Sequence, residues 1–145
     1  MPVLKLKRFG HRYGEKKERG QSMVEFVLVV PIFLVLVFGI VDFGMGIHAW
    51  LTITSASREG ARIGSVSASA AEIEAKVRSN TTSLDQSQLT VVTTNAQGTS
   101  GDSVVVDVDY HYDFITPLSS VLNLVGGSAI GTSLEFSSTT EMRLE

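Results

Sequence analysis

Cysteine is absent from all 145 residues, which excludes a disulfide framework and any thiolate metal site. Also absent is every pattern that organises catalysis: there is no Ser/His/Asp ordering, no phosphate-binding glycine loop, no zinc spacing and no pair of buried carboxylates. No enzymatic role and no cofactor are expected. Charge is scarce, at 19% of residues, and unevenly spread. From Phe26 to Val41 sixteen consecutive residues carry no ionisable side chain, a run that the surface of a water-soluble domain does not carry.

What is present surrounds that run. A mass of 15.6 kDa and a mean hydropathy of +0.21 leave room for one membrane segment and one modest domain. Residues 1–20 hold seven lysines and arginines against two glutamates, a balance of +5, whereas the remainder carries −8. This arm, with Lys5, Lys7, Arg8, Arg12, Lys16, Lys17 and Arg19, reads as a solvated basic segment without a fold. Positive charge flanking an apolar span stays on the cytoplasmic side, so residues 1–20 are expected inside and everything beyond residue 50 outside. Contact of the arm with anionic lipid is worth ~1 kcal/mol per basic residue; without interleaved aromatics, nucleic acid is not an expected partner. Residues 26–47, as a helix of about 33 Å, exceed the ~30 Å of a bilayer's hydrocarbon, so this segment is expected to cross the membrane. Pro31 removes one backbone hydrogen bond near its start, which membrane helices tolerate. Asp42, the one acid within the span, either reaches interfacial water or meets a partner in another membrane helix. A cleaved secretory signal fits less well, because its apolar region of ~7–15 residues ends at small residues, whereas this run leads into Asp42, His48 and Trp50. His48 beside Trp50 suits a membrane interface, and His11 belongs to the basic arm.

The helical period continues to about Gly64. Asp42, Gly46, Ala49, Ile53, Ala56, Gly60 and Ile63 recur at spacings of four and three, a stripe of small residues that admits another backbone closely. That stripe suits the chain's own sheet and a neighbouring subunit equally. Within it, Arg58, Glu59 and Arg62 read as a solvated helix face. Residues 65–71 suggest a bend and Ala70 to Ser79 a short helix, with Glu72–Lys76 and Glu74–Arg78 pairs. The period then becomes two. Gln88 to Thr94 is rich in strand formers, and 95–102 is a loop of turn residues. In the strand Ser103 to Phe114, Val104, Val106, Val108, Tyr110, Tyr112 and Phe114 take one face and Asp107, Asp109, His111 and Asp113 the other. Those acids read as a solvated face, because neighbours on a strand face are ~6.6 Å apart and calcium sites draw on converging loops; no metal is expected. Phe114 to Gly127 reads as a loop with one helical turn, and Ser128 to Arg143 as a last strand with Leu134, Phe136, Met142 and Leu144 in phase. The fold class is therefore α+β: a long amino-terminal helix running from the membrane outward, packed on a small antiparallel sheet, with a short second helix. Three regions follow: a basic cytoplasmic leader at 1–20, a long helix at 21–64 and a small outer domain at 65–145.

One residue resists a packing explanation. Glu25 stands at the basic edge of the apolar run, where a carboxylate next to hydrocarbon is unfavourable and points to a functional partner. The junction G-Q-S-M-V-E-F, the following P-I-F and F-G-I-V-D-F-G, and the later S-A-S-R-E-G-A-R together resemble the TadE-like pseudopilins of the tight-adherence (Tad, or Flp) pilus system, over residues 19–64. The resemblance implies a pilin-like fold, cleavage by a membrane-embedded prepilin peptidase between Gly20 and Gln21, Glu25 as the charge used in assembly, and Phe26 as the aromatic after it. It aligns Arg58, Glu59, Gly60, Ala61 and Arg62 with the family's second motif. It also implies residence in the bacterial cytoplasmic membrane, with other pilins, pseudopilins, inner-membrane pilus assembly proteins and the lipid bilayer as partners. The alternative is an uncleaved signal-anchored membrane protein whose outer domain binds a ligand or an envelope component.

Overall fold

The structure, a computed structural model, describes residues 15–126 and 131–145. The basic arm up to residue 14, with His11, and residues 127–130 lie outside the described residues. Helix α1, Glu15–Gly64, is unbroken for 50 residues and passes through Pro31. It begins inside the arm expected to be unfolded. Glu15, Lys16, Lys17, Glu18 and Arg19 are all good helix formers, and extending an existing helix adds a hydrogen bond for each residue fixed, so α1 starts six residues before the expected position 21.

A tight turn at 65–67, with Ser67 at φ 66°, reverses the chain. Helix α2, Ala70–Asn80, then starts with Ser69 as its cap. The Ser69 hydroxyl accepts from the Glu72 amide at 3.3 Å, and the Glu72 carboxylate accepts from the Ser69 amide at 2.8 Å; this reciprocal pairing satisfies donors that a helix start leaves open. Strands β1, Leu89–Thr94, β2, Ser103–Asp113, and β3, Ser133–Arg143, form one antiparallel sheet in that spatial order. Helix α3, Leu118–Gly126, occupies the connection expected to be mostly loop.

Register follows the alternation in β2. Leu89 lies opposite Tyr110 and Val91 opposite Val108 on one side, and Met142 lies opposite Val104 and Phe136 opposite Tyr110 on the other. Val104, Val106, Val108, Tyr110 and Tyr112 are buried against the helices, as their phase predicts, because each two-residue step returns the side chain to the same face. The outward face carries Asp107, Asp109, His111 and Asp113. The outer half of α1 supplies Ala49, Ile53, Ala56 and Ala61 to the core, and α2 supplies Ile73 and Val77. With one large side chain among the four from α1, the helix axis lies close to the sheet. The small-residue stripe is thus turned into the chain's own fold, with Gly46, Ala49, Ile53 and Ala56 buried, and Gly60 against both α2 and β2. The carboxyl end closes the far side: the Leu144 amide donates to the Asp102 carbonyl at 2.7 Å, and the Glu145 amide to the Ser65 carbonyl at 3.1 Å.

Candidate functional site

Two halves of α1 have opposite surroundings. From Gln21 to Val41 no residue is buried, and large apolar side chains stand in the open on every side of the helix, among them Phe26 at 67% exposure and Ile32 at 71%. Beyond Val41 one face of the same helix is covered by the outer domain, with Asp42, Gly46, Ala49 and Ile53 buried. An apolar cylinder in water is strongly unfavourable, since exposing each large side chain forgoes ~1.5–3 kcal/mol. The long helix therefore fits a single-pass membrane protein. Gly20, Gln21, Glu25 and Phe26 all sit on the uncovered half as exposed positions of one continuous helix. Among the described residues, no neighbour outside the helix's own backbone lies within 4 Å of where a side chain on Gly20 would begin. Pro31, half-buried, takes its place in the helix without an amide to donate, which leaves the Val27 carbonyl without its usual partner.

Asp42 marks the change between the halves. The sequence suggests interfacial water or a partner in another membrane helix; the structure gives neither. Asp42 is 3% exposed, and its carboxylate accepts from the amides of Ile115 at 3.0 Å and Thr116 at 3.2 Å and from the Thr116 hydroxyl. Its own carbonyl accepts from the Tyr112 hydroxyl at 3.3 Å. Burial first, and the nearby Asp42 charge next, raise the Tyr112 phenol above its ordinary range. The acid thus pins the segment between β2 and α3 to α1. Three donors to one carboxylate are charge-assisted and answer its desolvation.

The segment Arg58 to Arg62 divides in two rather than forming a single solvated face. Arg58 and Arg62 are exposed, whereas Gly60 and Ala61 are buried. Gly60 sits so near α2 that an added Cβ would lie 2.7 Å from Val77 Cγ2 and 3.4 Å from both Ile73 Cγ2 and Val106 Cγ1. Only hydrogen fits. Arg62 grips Glu59 with two parallel donors, Nε to Oε2 at 2.9 Å and Nη2 to Oε1 at 2.7 Å, and Lys76 of α2 approaches the same carboxylate at 3.7 Å. The Arg62 hydrogen bonds, then its charge and that of Lys76, hold Glu59 down to about 2 against a partial desolvation that opposes them. Just before the segment, the fully buried Ser57 hydroxyl pairs with Ser138 at 3.0 Å and Thr140 at 2.9 Å on β3. The segment is thus a seam that locks α1 to α2 and β3.

Asp107, Asp109, His111 and Asp113 remain spread along the outward strand face. Asp113 accepts from the Gln88 side chain at 2.7 Å, and His111 lies 3.4 Å from Asp113 and 3.8 Å from Glu135. Among the described residues no three acidic or histidine side chains converge as a metal site requires. Sequence reasoning missed the partners of Asp42, the hydroxyl cluster at Ser57 and the link from Lys76 to Glu59. The available signal was the phase of Ser57 beside the small-residue stripe, which put a hydroxyl where the core has to satisfy it.

A family model described as TadE-like protein matches residues 20–62, which contain the uncovered half of α1, Asp42 and the seam. No curated protein and no solved structure matches the chain. Over residues 20–62 the chain is similar to TadE-like proteins, a likeness that suggests association with a Tad pilus.

Proposed function

We propose that this chain is a pseudopilin: a structural, non-catalytic assembly factor of a Tad/Flp-type pilus or a related secretion apparatus, matured by prepilin peptidase between Gly20 and Gln21. Residues 1–20 are the cytoplasmic leader, 21–64 the long helix with its span at 26–47, and 65–145 the outer domain. It sits in the bacterial cytoplasmic membrane with its amino end inside. The observation that supports this reading most is the uncovered half of α1. A helix with one face buried by its own domain from Asp42 onward but with no buried residue from Gln21 to Val41 needs apolar partners outside the chain, and lipid or the helices of other pilin-type subunits supply them. Glu25 lies on that bare half. Cleavage after Gly20 creates a positive amine at Gln21, four residues away, and the amine of a neighbouring subunit is the partner that makes a carboxylate at this depth favourable. Gly20 favours the cut, because glycine weakens a helix by ~1 kcal/mol relative to alanine.

The test is the intact mass of the chain from cells with and without the peptidase. A mass lower by residues 1–20 in the first case alone is expected. A chain that keeps residues 1–20 in both supports the uncovered helix as an uncleaved signal anchor and refutes the pseudopilin reading. Glu25→Ala is expected to insert and be cleaved normally yet to weaken piliation; normal piliation removes Glu25 from the mechanism.

A further inference from the structure

A second uncharged stretch runs from Phe114 to Leu134, 21 residues without a lysine, arginine, aspartate, glutamate or histidine, in a part of the chain that is otherwise acidic. It contains α3 and the segment that Asp42 holds. Ile115 is 63% exposed and Leu134 47% exposed, although both belong to the outer domain. Between this stretch and α1 lies an open, mainly apolar groove of about 330 Å³, where Phe43, Ile47 and Trp50 face Phe114, Leu118 and Phe136 and the buried Asp42 adjoins its lining. The two uncharged stretches of the chain, 26–41 and 114–134, therefore meet at Asp42.

The length of the span says what covers this surface. Counting the ~20 residues needed to cross hydrocarbon from Phe26 brings the far edge to about Met45, nearly one helical turn beyond Asp42. Ile115 and Thr116 are hydrogen-bonded to Asp42 itself, so they are held at that depth and not above it. We infer that Ile115 and α3 lie in the outer interfacial layer of the bilayer, with lipid acyl chains filling the groove between α1 and β3. The protein then has two membrane contacts, one helix that spans and one short helix that lies in the interface. An uncharged helix beside an exposed isoleucine and Trp50 suits that layer, where apolar side chains enter the acyl boundary and tryptophan takes the headgroup level. The same placement accounts for the three donors on Asp42, since an ionisable group at this depth is retained only when paired.

The inference rests on residues 26–47 being the membrane span, and its test separates the two. The full chain is reconstituted into phosphatidylcholine–phosphatidylglycerol vesicles. Trp50, the only tryptophan, is changed to Phe, and one tryptophan is placed at a time by Leu36→Trp, Ile115→Trp, Leu134→Trp or Val92→Trp. Lipids brominated along their acyl chains are expected to quench emission severalfold at 36, 115 and 134 and to leave 92, on the outer face of the sheet, unchanged. Quenching at 36 with none at 115 and 134 overturns the inference while keeping the span, and gives the groove to another occupant such as a second copy. No quenching at 36 removes the span and the inference together. Ile115 and Leu134 are both exposed, so a tryptophan at either leaves the core intact, and agreement between them guards against a local distortion.

Discussion

Gly60→Ala adds one methyl at the tightest point of the seam. An added Cβ lies 2.7 Å from Val77 Cγ2, whereas carbon atoms settle at ~3.5–4.0 Å, so about 1 Å of movement is needed. Val77 has little freedom to give it. The side chain is β-branched on a helix, where one rotamer dominates, and it is fully buried between α1 and the sheet. Overpacking of this kind costs ~1–3 kcal/mol, and the better helix propensity of alanine returns ~1 kcal/mol. Net destabilisation is therefore about 1 kcal/mol, which lowers the melting temperature by ~4–8 °C for a domain of 60–100 residues. The assay is thermal unfolding of the detergent-solubilised chain, followed by the near-ultraviolet dichroism of the buried Tyr110 and Tyr112. Gly44→Ala is the matched control: a Cβ there meets nothing within 4 Å, and its transition is expected to stay put or rise slightly. Combining Gly60→Ala with Val77→Ala vacates the contested space, so the two are expected to couple favourably by ~1–2 kcal/mol, within the range for residues in contact. A Gly60→Ala protein as stable as the Gly44→Ala protein, with no coupling in the cycle, refutes the close-approach account of the Arg58–Arg62 segment.

Asp42→Ala orphans two amides and the Thr116 hydroxyl. At ~1–3 kcal/mol for each donor left without a partner, the two amides alone make a loss of at least about 2 kcal/mol expected, with protease nicking near Ile115; Asp42→Asn, which keeps one acceptor oxygen, loses less, and unchanged protease resistance in Asp42→Ala means the pin is idle. Glu59 supplies a pH dependence. Its folded value of about 2 lies below the ordinary 4.5, so its stabilisation is fully present above pH 4.5 and is lost as pH falls from 4.5 through about 2. The stability gap between the unmodified protein and Glu59→Gln is expected to narrow across that window in acid titrations of the folded state, and a gap that stays constant sinks the Arg62–Glu59–Lys76 account.

The parts that were legible in the sequence are those whose causes are local and periodic. The alternation of Val104 to Tyr112 fixes one buried strand face, and the spacing of Gly46, Ala49, Ile53, Ala56 and Gly60 fixes the buried edge of α1. Ala70–Asn80 begins where Ala70 was expected to open a helix. What was not legible depends on distance along the chain. Asp42 is 73 residues from Ile115, and no spacing rule joins them. Nor does phase alone say that Ser57 meets Ser138 and Thr140, the two polar residues that interrupt the apolar side of β3. Helix α3 was hidden by its punctuation. Pro117 and the Gly126-Gly127 pair read as loop signals, yet proline just before a helix leaves unused only an amide that the first turn cannot satisfy, and Gly126 is the last residue of α3.

Between the membrane span and the sheet there is no linker. The helix that crosses is the helix that packs, and it is fixed to the outer domain at three heights: by Asp42 to the segment before α3, by Gly46 against Phe136 and Tyr112, and by Gly60 and Gly64 against α2 and β2. Each contact is short-range and direction-specific, so the rotation of α1 about its own axis sets the direction in which the acidic face of the sheet points. In the proposed assembly this has a mechanical consequence. Subunits whose bare halves pack in the membrane in a fixed rotation, with Glu25 against a neighbour's new amine, necessarily present their outer domains in a fixed rotation as well. Lateral order established by pairing inside the bilayer is therefore carried outward by the helix itself, and a substitution that loosens the seam at Gly60 disturbs that order without touching either the cleavage junction or Glu25.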